Sequence, residues 1–163
     1  MAASANFALR LRGRRGIELQ TIKTIMTVLP LTPLLCFPAQ AETFFSCGSS
    51  VGRSFYPLGP FTTEADAGWI EDGISDGAVA LVSEGSEVDV LIKDAVGMMS
   101  ARSQGANVTL LRVEGDFATV LVEYPLGPIE LYTFDGSRGL VYWSQHKFGV
   151  MIDKAGTFVA VCN

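Results

Sequence analysis

From residue 78 to its end the chain alternates apolar and polar positions, interrupted at short intervals by Gly, Asp, Ser and Pro. VDVLIKD (88–94) is the plainest case: Val88, Val90 and Ile92 share one side and Asp89 and Lys93 the other, as on a half-buried strand. Further strand-like runs, several of them rich in β-branched and aromatic residues, are AVALVS (78–83), MMSARS (98–103), NVTLLRV (107–113), FATVLVEY (117–124), IELYTF (129–134), LVYWSQHK (140–147) and TFVAVC (157–162). These runs predict about eight strands at a spacing of roughly ten residues. All but one of the connections are short, which suits antiparallel neighbours and leaves no room for crossover helices. The expected fold is all-β: an antiparallel up-and-down meander, closed into a small barrel because an open sheet would leave two bare edges.

Ahead of residue 78 the pattern weakens. Glu42 to Cys47 reads as a first strand or extended arm, GSSVG (48–52) as a loop, and Arg53 to Tyr56 as a short extended piece. FTTEADAG (61–68) predicts a short N-terminal helical turn, with Thr62 or Thr63 as its cap, Glu64 and Asp66 in its first turn, and Gly68 ending it. Trp69-Ile70 reads as an apolar plug, and EDGISDG (71–77) as turn-rich.

The first 41 residues have a different character. Arg10, Arg12, Arg14, Arg15 and Lys23 precede an apolar run from Ile25 to Phe37, and Pro38-Ala39-Gln40-Ala41 follows it. Basic region, apolar core and A-x-A site in that order predict an export signal over 1–41, cut after Ala41; a start at Met26, with an over-extended N-terminus ahead of it, is the variant reading. The apolar run carries Pro30 and Pro33 and falls short of the ~20 residues a spanning helix needs. Leu35 ahead of Cys36 is too large for a lipoprotein cleavage site, so no membrane anchor is expected after processing. A single domain over 42–163 in the periplasm or outside the cell follows.

Charge changes the picture once this leader is set aside. Residues 42–163 keep 7 basic and 16 acidic side chains, a formal net charge of −9. That surface repels phosphate backbones, which argues against nucleic acid and leaves a protein or a small ligand as the partner. With 48% hydrophobic and 18% charged residues the chain is not of the disordered type. The same residues keep two cysteines, Cys47 and Cys162, which in an oxidising compartment predict a disulfide between the first element and the last strand.

Candidate chemistry is sparse. His146 is the sole histidine, and no Ser-His-Asp or Cys-His set assembles around it by spacing; Glu123 and Asp153 are the carboxylates that would have to serve it in a hydrolase. Glu71, Asp72 and Asp76 form the densest acidic group but lack the alternation of a calcium loop, and two cysteines with one distant histidine make no zinc set. No metal or cofactor is expected. Tyr132 and Phe134 share one strand face, and Trp143 and Gln145 share another. Facing inward, Trp143, Gln145, Tyr132 and Arg102, with His146 at the rim, would line a ligand site. A core filled by its own side chains is the favoured alternative, since small barrels leave little interior.

Val141-Tyr142-Trp143-Ser144-Gln145-His146-Lys147 followed by Cys162, with Phe44-Phe45-Ser46-Cys47 at the start, resembles in layout the periplasmic inhibitors of c-type lysozyme. The resemblance implies a small stapled β-barrel and, as one function, inhibition of a cationic cell-wall hydrolase. That family's Ser-Gly-x-x-Tyr loop has no counterpart here beyond Ser100-Ala101-Arg102-Ser103. As a whole the chain is also similar to small exported bacterial all-β proteins. The function expected is that of a monomeric, non-enzymatic binding protein, with hydrolase inhibition as the alternative and a small-molecule carrier or a hydrolase behind it.

Overall fold

A computed structural model describes residues 41–163; the export signal read at 1–41 lies, apart from Ala41, outside the described residues. The described chain is all-β. Its strands are β1 (Glu42–Tyr56), β2 (Gly68–Ile74), β3 (Ala78–Glu84), β4 (Glu87–Asp94), β5 (Gly97–Ser100), β6 (Asn107–Glu114), β7 (Phe117–Glu123), β8 (Ile129–Asp135), β9 (Leu140–Lys147) and β10 (Lys154–Cys162). A 3-10 turn at Arg102–Gln104 follows β5, and no α-helix occurs among the described residues. All pairings are antiparallel, in the order β5-β4-β3-β1-β10-β9-β8-β7-β6, with β2 also on β1.

The eight strands expected from Ala78 onward are all present, and two more precede them. What reads as loop at 48–52 is the middle of β1, a 15-residue strand. Its first half pairs with β3 and its second half with β2, while its other edge runs along β10. Gly52 looks like a strand breaker, yet it is the residue this strand requires. A Cβ there would lie 2.1 Å from the Thr157 carbonyl oxygen and 2.6 Å from the Phe158 ring. Gly156, also on β10, is restricted by the same ring and by Ser54. Phe158 thus lies across two positions without side chains and fills the space they leave, so the glycines serve packing rather than turning. The stretch at 69–74, read as plug and turns, is β2, held in register with Ser50 to Phe55.

The helical turn expected at 61–68 is not formed. The Asp66 N–H donates to the Thr63 carbonyl at 3.1 Å, closing a turn, and the Thr63 hydroxyl donates to the Asp66 carboxylate at 2.6 Å. A cap would instead accept a backbone N–H, and a lone turn gains too few hydrogen bonds to offset the cost of nucleating a helix.

The barrel does not close. Because the first strand lies in the middle of the sheet, the edges are β4–β5 on one side and β6 on the other, and the sheet curls into a half-barrel. β5 has only four residues before the chain turns at Arg102–Gln104, so it pairs with Leu91–Asp94 alone and never reaches β6. The disulfide forms as expected between Cys47 and Cys162, but it joins ladder partners on β1 and β10 within the sheet instead of sealing its edges.

Inside the curl, the concave face carries a continuous aromatic row. Phe45 stacks on Phe134 at 5.2 Å, Phe134 on Tyr132 at 6.2 Å, Tyr132 on Trp143 at 5.8 Å and Trp143 on Phe158 at 4.7 Å. Val79, Leu81, Val90, Val120, Val122 and Val141 pack around it, all buried. The middle of the half-barrel is therefore filled, and open space lies toward the two ends of its strands.

Candidate functional site

One end opens into a cavity of about 530 Å³. Its floor is set by strand pairing: Tyr132 lies opposite Trp143, and Glu130 opposite Gln145, on the inner face of β8 and β9. Alternation then places Lys147 on that same face at the end of β9. Ile74, Ile92 and Met99 form one wall, and Tyr124, Leu126 and Val150 form the mouth.

The polar groups divide into engaged and unengaged. Glu130 is 4% exposed; it accepts a short hydrogen bond from the Tyr132 hydroxyl and lies 3.8 Å from the Lys147 ammonium. Asp94, also in the wall, accepts from the N–H groups of Val96 at 2.7 Å and Gly97 at 3.3 Å. Burial and the Glu130 carboxylate push the Tyr132 hydroxyl well above its ordinary pKa, and burial followed by Glu130 and Asp89 raises that of Tyr124. Both phenols stay neutral through the physiological range. By contrast, Trp143 Nε1 and Gln145 Oε1 are buried with no hydrogen-bond partner among the described residues. Leaving such groups unmatched costs roughly 1–3 kcal/mol apiece. Both residues line the cavity.

Of the residues expected to form a site, Trp143, Gln145 and Tyr132 come together here. Arg102 does not; it sits at the seam between the two sheet edges. Its Nε donates to the Val88 carbonyl at 2.8 Å, and Nη2 to the Val108 carbonyl at 3.1 Å, joining β4 to β6 where no ladder does. Asp89 fixes the turn that carries it, accepting from the Ser100 hydroxyl and from the Arg102 N–H. Ser100 to Ser103 is thus tied down against β4. His146 alternates to the outer face and is exposed, between Ile129 and Ala155. Glu123 is engaged by Asn107, and Asp153 by the Gly149 N–H.

Glu130, Lys147 and Tyr124 are members of the site that sequence reasoning missed. A signal existed for Glu130: it shares the phase of Tyr132 and Phe134 along β8, so a strand with those aromatics inward must bury this carboxylate too.

The acidic stretch at 71–76 serves a different purpose. Asp72 accepts from Ser54 at 2.8 Å, from Tyr56 at 3.2 Å and from Lys154 at 2.8 Å, tying β2 to β1 and β10. Burial alone would raise its pKa, but Lys154, Ser54 and the Gly73 N–H together hold it below 3.8. Among the described residues no group of three His, Cys, Asp or Glu side chains is placed to hold a metal ion, and no helix is long and apolar enough to cross a membrane.

A wider depression of about 790 Å³ lies on the convex face, between Trp69 and Tyr142. It is open to solvent and its walls, such as Val51 and Trp69, are exposed. The polar groups gathered in its lining favour the concave cavity as the site.

Comparison with protein-family models, curated proteins and solved structures finds no match to this chain.

Proposed function

We propose that this is an exported, monomeric, non-enzymatic binding protein that takes a small ligand into the concave cavity at the end of its half-barrel. The observation that carries the reading is the concave cavity itself, whose lining brings Tyr132, Trp143, Gln145, Glu130 and Lys147 together with Ile74, Ile92 and Met99. A small-molecule site joins an apolar wall to a few polar groups that orient its guest, and this lining has both. The volume, about 530 Å³, falls in the range of small-molecule sites, roughly 300–1,000 Å³. The Cys47–Cys162 bridge and the leader-like residues 1–41 support an oxidising, extracytoplasmic setting.

The test uses N-phenyl-1-naphthylamine, a neutral probe that brightens in apolar surroundings. Its fluorescence should rise on addition of the protein and fall back when Val150→Trp obstructs the mouth. No rise, or an equal rise with Val150→Trp, removes the reading. Inhibition of a cationic cell-wall hydrolase stands as the second reading on the net charge of −9 over residues 42–163. Unchanged lysozyme activity at stoichiometric excess of this protein rejects it.

A further inference from the structure

The charges in the cavity lining bear on the head group of its ligand, an inference that rests on the binding function proposed above. Along the inner face of β9 exposure rises from floor to rim: Trp143 is 4% exposed, Gln145 6%, and the Lys147 side chain 36%. Of the polar groups in that row, Lys147 is the one a ligand can reach. Glu130, on the floor opposite Gln145, draws its ammonium back over the cavity, but at 3.8 Å the pair is too long for a hydrogen bond. The ammonium therefore keeps its N–H donors for a partner.

The other charges around it are matched more closely. Asp94 accepts from two backbone N–H groups, and Glu130 accepts from the Tyr132 hydroxyl. Lys154, the ladder partner of Lys147 on the same inner face, is held by Asp72 at 2.8 Å. Two lysines opposite each other on one face repel, and an anion at the rim relieves them. A carboxylate hydrogen-bonded to the outer side of Lys147 would stand more than twice as far from the Glu130 oxygen as from the ammonium, so attraction outweighs repulsion. An ammonium head would meet Lys147 first and reach Glu130 only by displacing it. A neutral head would leave the Lys147 charge without a counter-charge at the rim. The wall of Ile74, Ile92, Met99, Leu126 and Val150 accepts an apolar body behind the head. We propose that the cavity selects an amphiphilic monocarboxylate, with its head on Lys147 at the rim and its apolar tail against that wall.

The experiment is displacement of N-phenyl-1-naphthylamine from the disulfide-bonded protein by octanoate, octan-1-ol and octylamine, which share a tail and differ in the head. Octanoate should displace the probe at about one-tenth of the concentration the other two need, the preference expected of one charge-assisted hydrogen bond. Lys147→Met should shrink that preference to about threefold or less while leaving displacement by octan-1-ol unchanged, and Lys147→Arg, which keeps the charge, should preserve it. Because Lys147→Met takes the cation from beside the buried Glu130, Lys147→Gln carries the same test if the former fails to fold. Equal or better displacement of the probe by octan-1-ol or octylamine overturns the inference, as does a preference for octanoate that survives loss of the Lys147 charge. A probe that never enters the wild-type cavity defeats the binding function and this inference with it, a different result from entry without head-group preference.

Discussion

Arg102 offers the sharpest test of how the open half-barrel holds its shape. Its guanidinium donates to the carbonyls of Val88 on β4 and Val108 on β6, at 2.8 and 3.1 Å, across a seam with no ladder of its own. Hydrogen bonds from a charged donor contribute roughly 1.5–3 kcal/mol each. The side chain is 35% exposed, so water replaces part of what is lost and the low end applies. Two bonds then amount to about 3 kcal/mol. Its ion pair with Glu87, 3.4 Å away and 68% exposed on the partner, adds at most about 1 kcal/mol. Arg102→Met should therefore lower the urea unfolding free energy by about 3 kcal/mol with an unchanged m-value. Arg102→Lys should recover little, because a single ammonium cannot span two carbonyls as a planar fork does. Hydrogen exchange should place the weakening at β4 and β6 and spare β9 and β10. Glu87→Gln should stay within about 0.5 kcal/mol of wild type. An Arg102→Met variant as stable as wild type, or a Glu87→Gln variant as damaged as Arg102→Met, would refute the clip.

Three further outcomes follow from the same contacts. The disulfide spans a sequence separation of 115 residues, for which loop-closure entropy predicts a loss of about 5 kcal/mol in a Cys47→Ala/Cys162→Ala double variant. Its far-ultraviolet dichroism should remain that of a β-sheet, since the two positions are already ladder partners; denaturation by urea measures the loss, and one below about 1 kcal/mol would contradict it. Gln145→Met should raise the unfolding free energy of the ligand-free protein by about 1–2 kcal/mol, because it removes a buried acceptor without a partner, and a fall would show that Gln145 is structurally satisfied. Asp72 has a lowered pKa in the folded state, so its stabilisation is complete above the unfolded-state value and disappears as pH falls through the lower, folded one. Thermal melts of wild type and Asp72→Asn should thus differ at pH 6 and draw together as pH falls below 3.8; a gap that persists in acid contradicts the ion pair with Lys154.

Much of this architecture is legible in the chain itself, and the reason is local. Alternation over VDVLIKD declares both the strand and the side that must be buried, since a slip of one residue would turn Val88, Val90 and Ile92 outward. Two cysteines behind a leader-like segment are enough to anticipate their bridge. Trp143, Gln145 and Tyr132 belong together because parity puts them on one face. Strand order is not local, and there the tertiary structure decided. Nothing within GSSVG declares a strand, because the need for Gly52 comes from Phe158, more than a hundred positions away, whose ring occupies the space a side chain would take. Once β1 lies at the centre of the sheet, the edges become β4–β5 and β6, the barrel stays open, and Arg102 is drawn to the seam instead of the cavity. Sequence settles which way a side chain points. Only the packed sheet decides what it meets there, and that is why two polar atoms on β9 are buried without partners while a carboxylate of the same phase on β8 is matched.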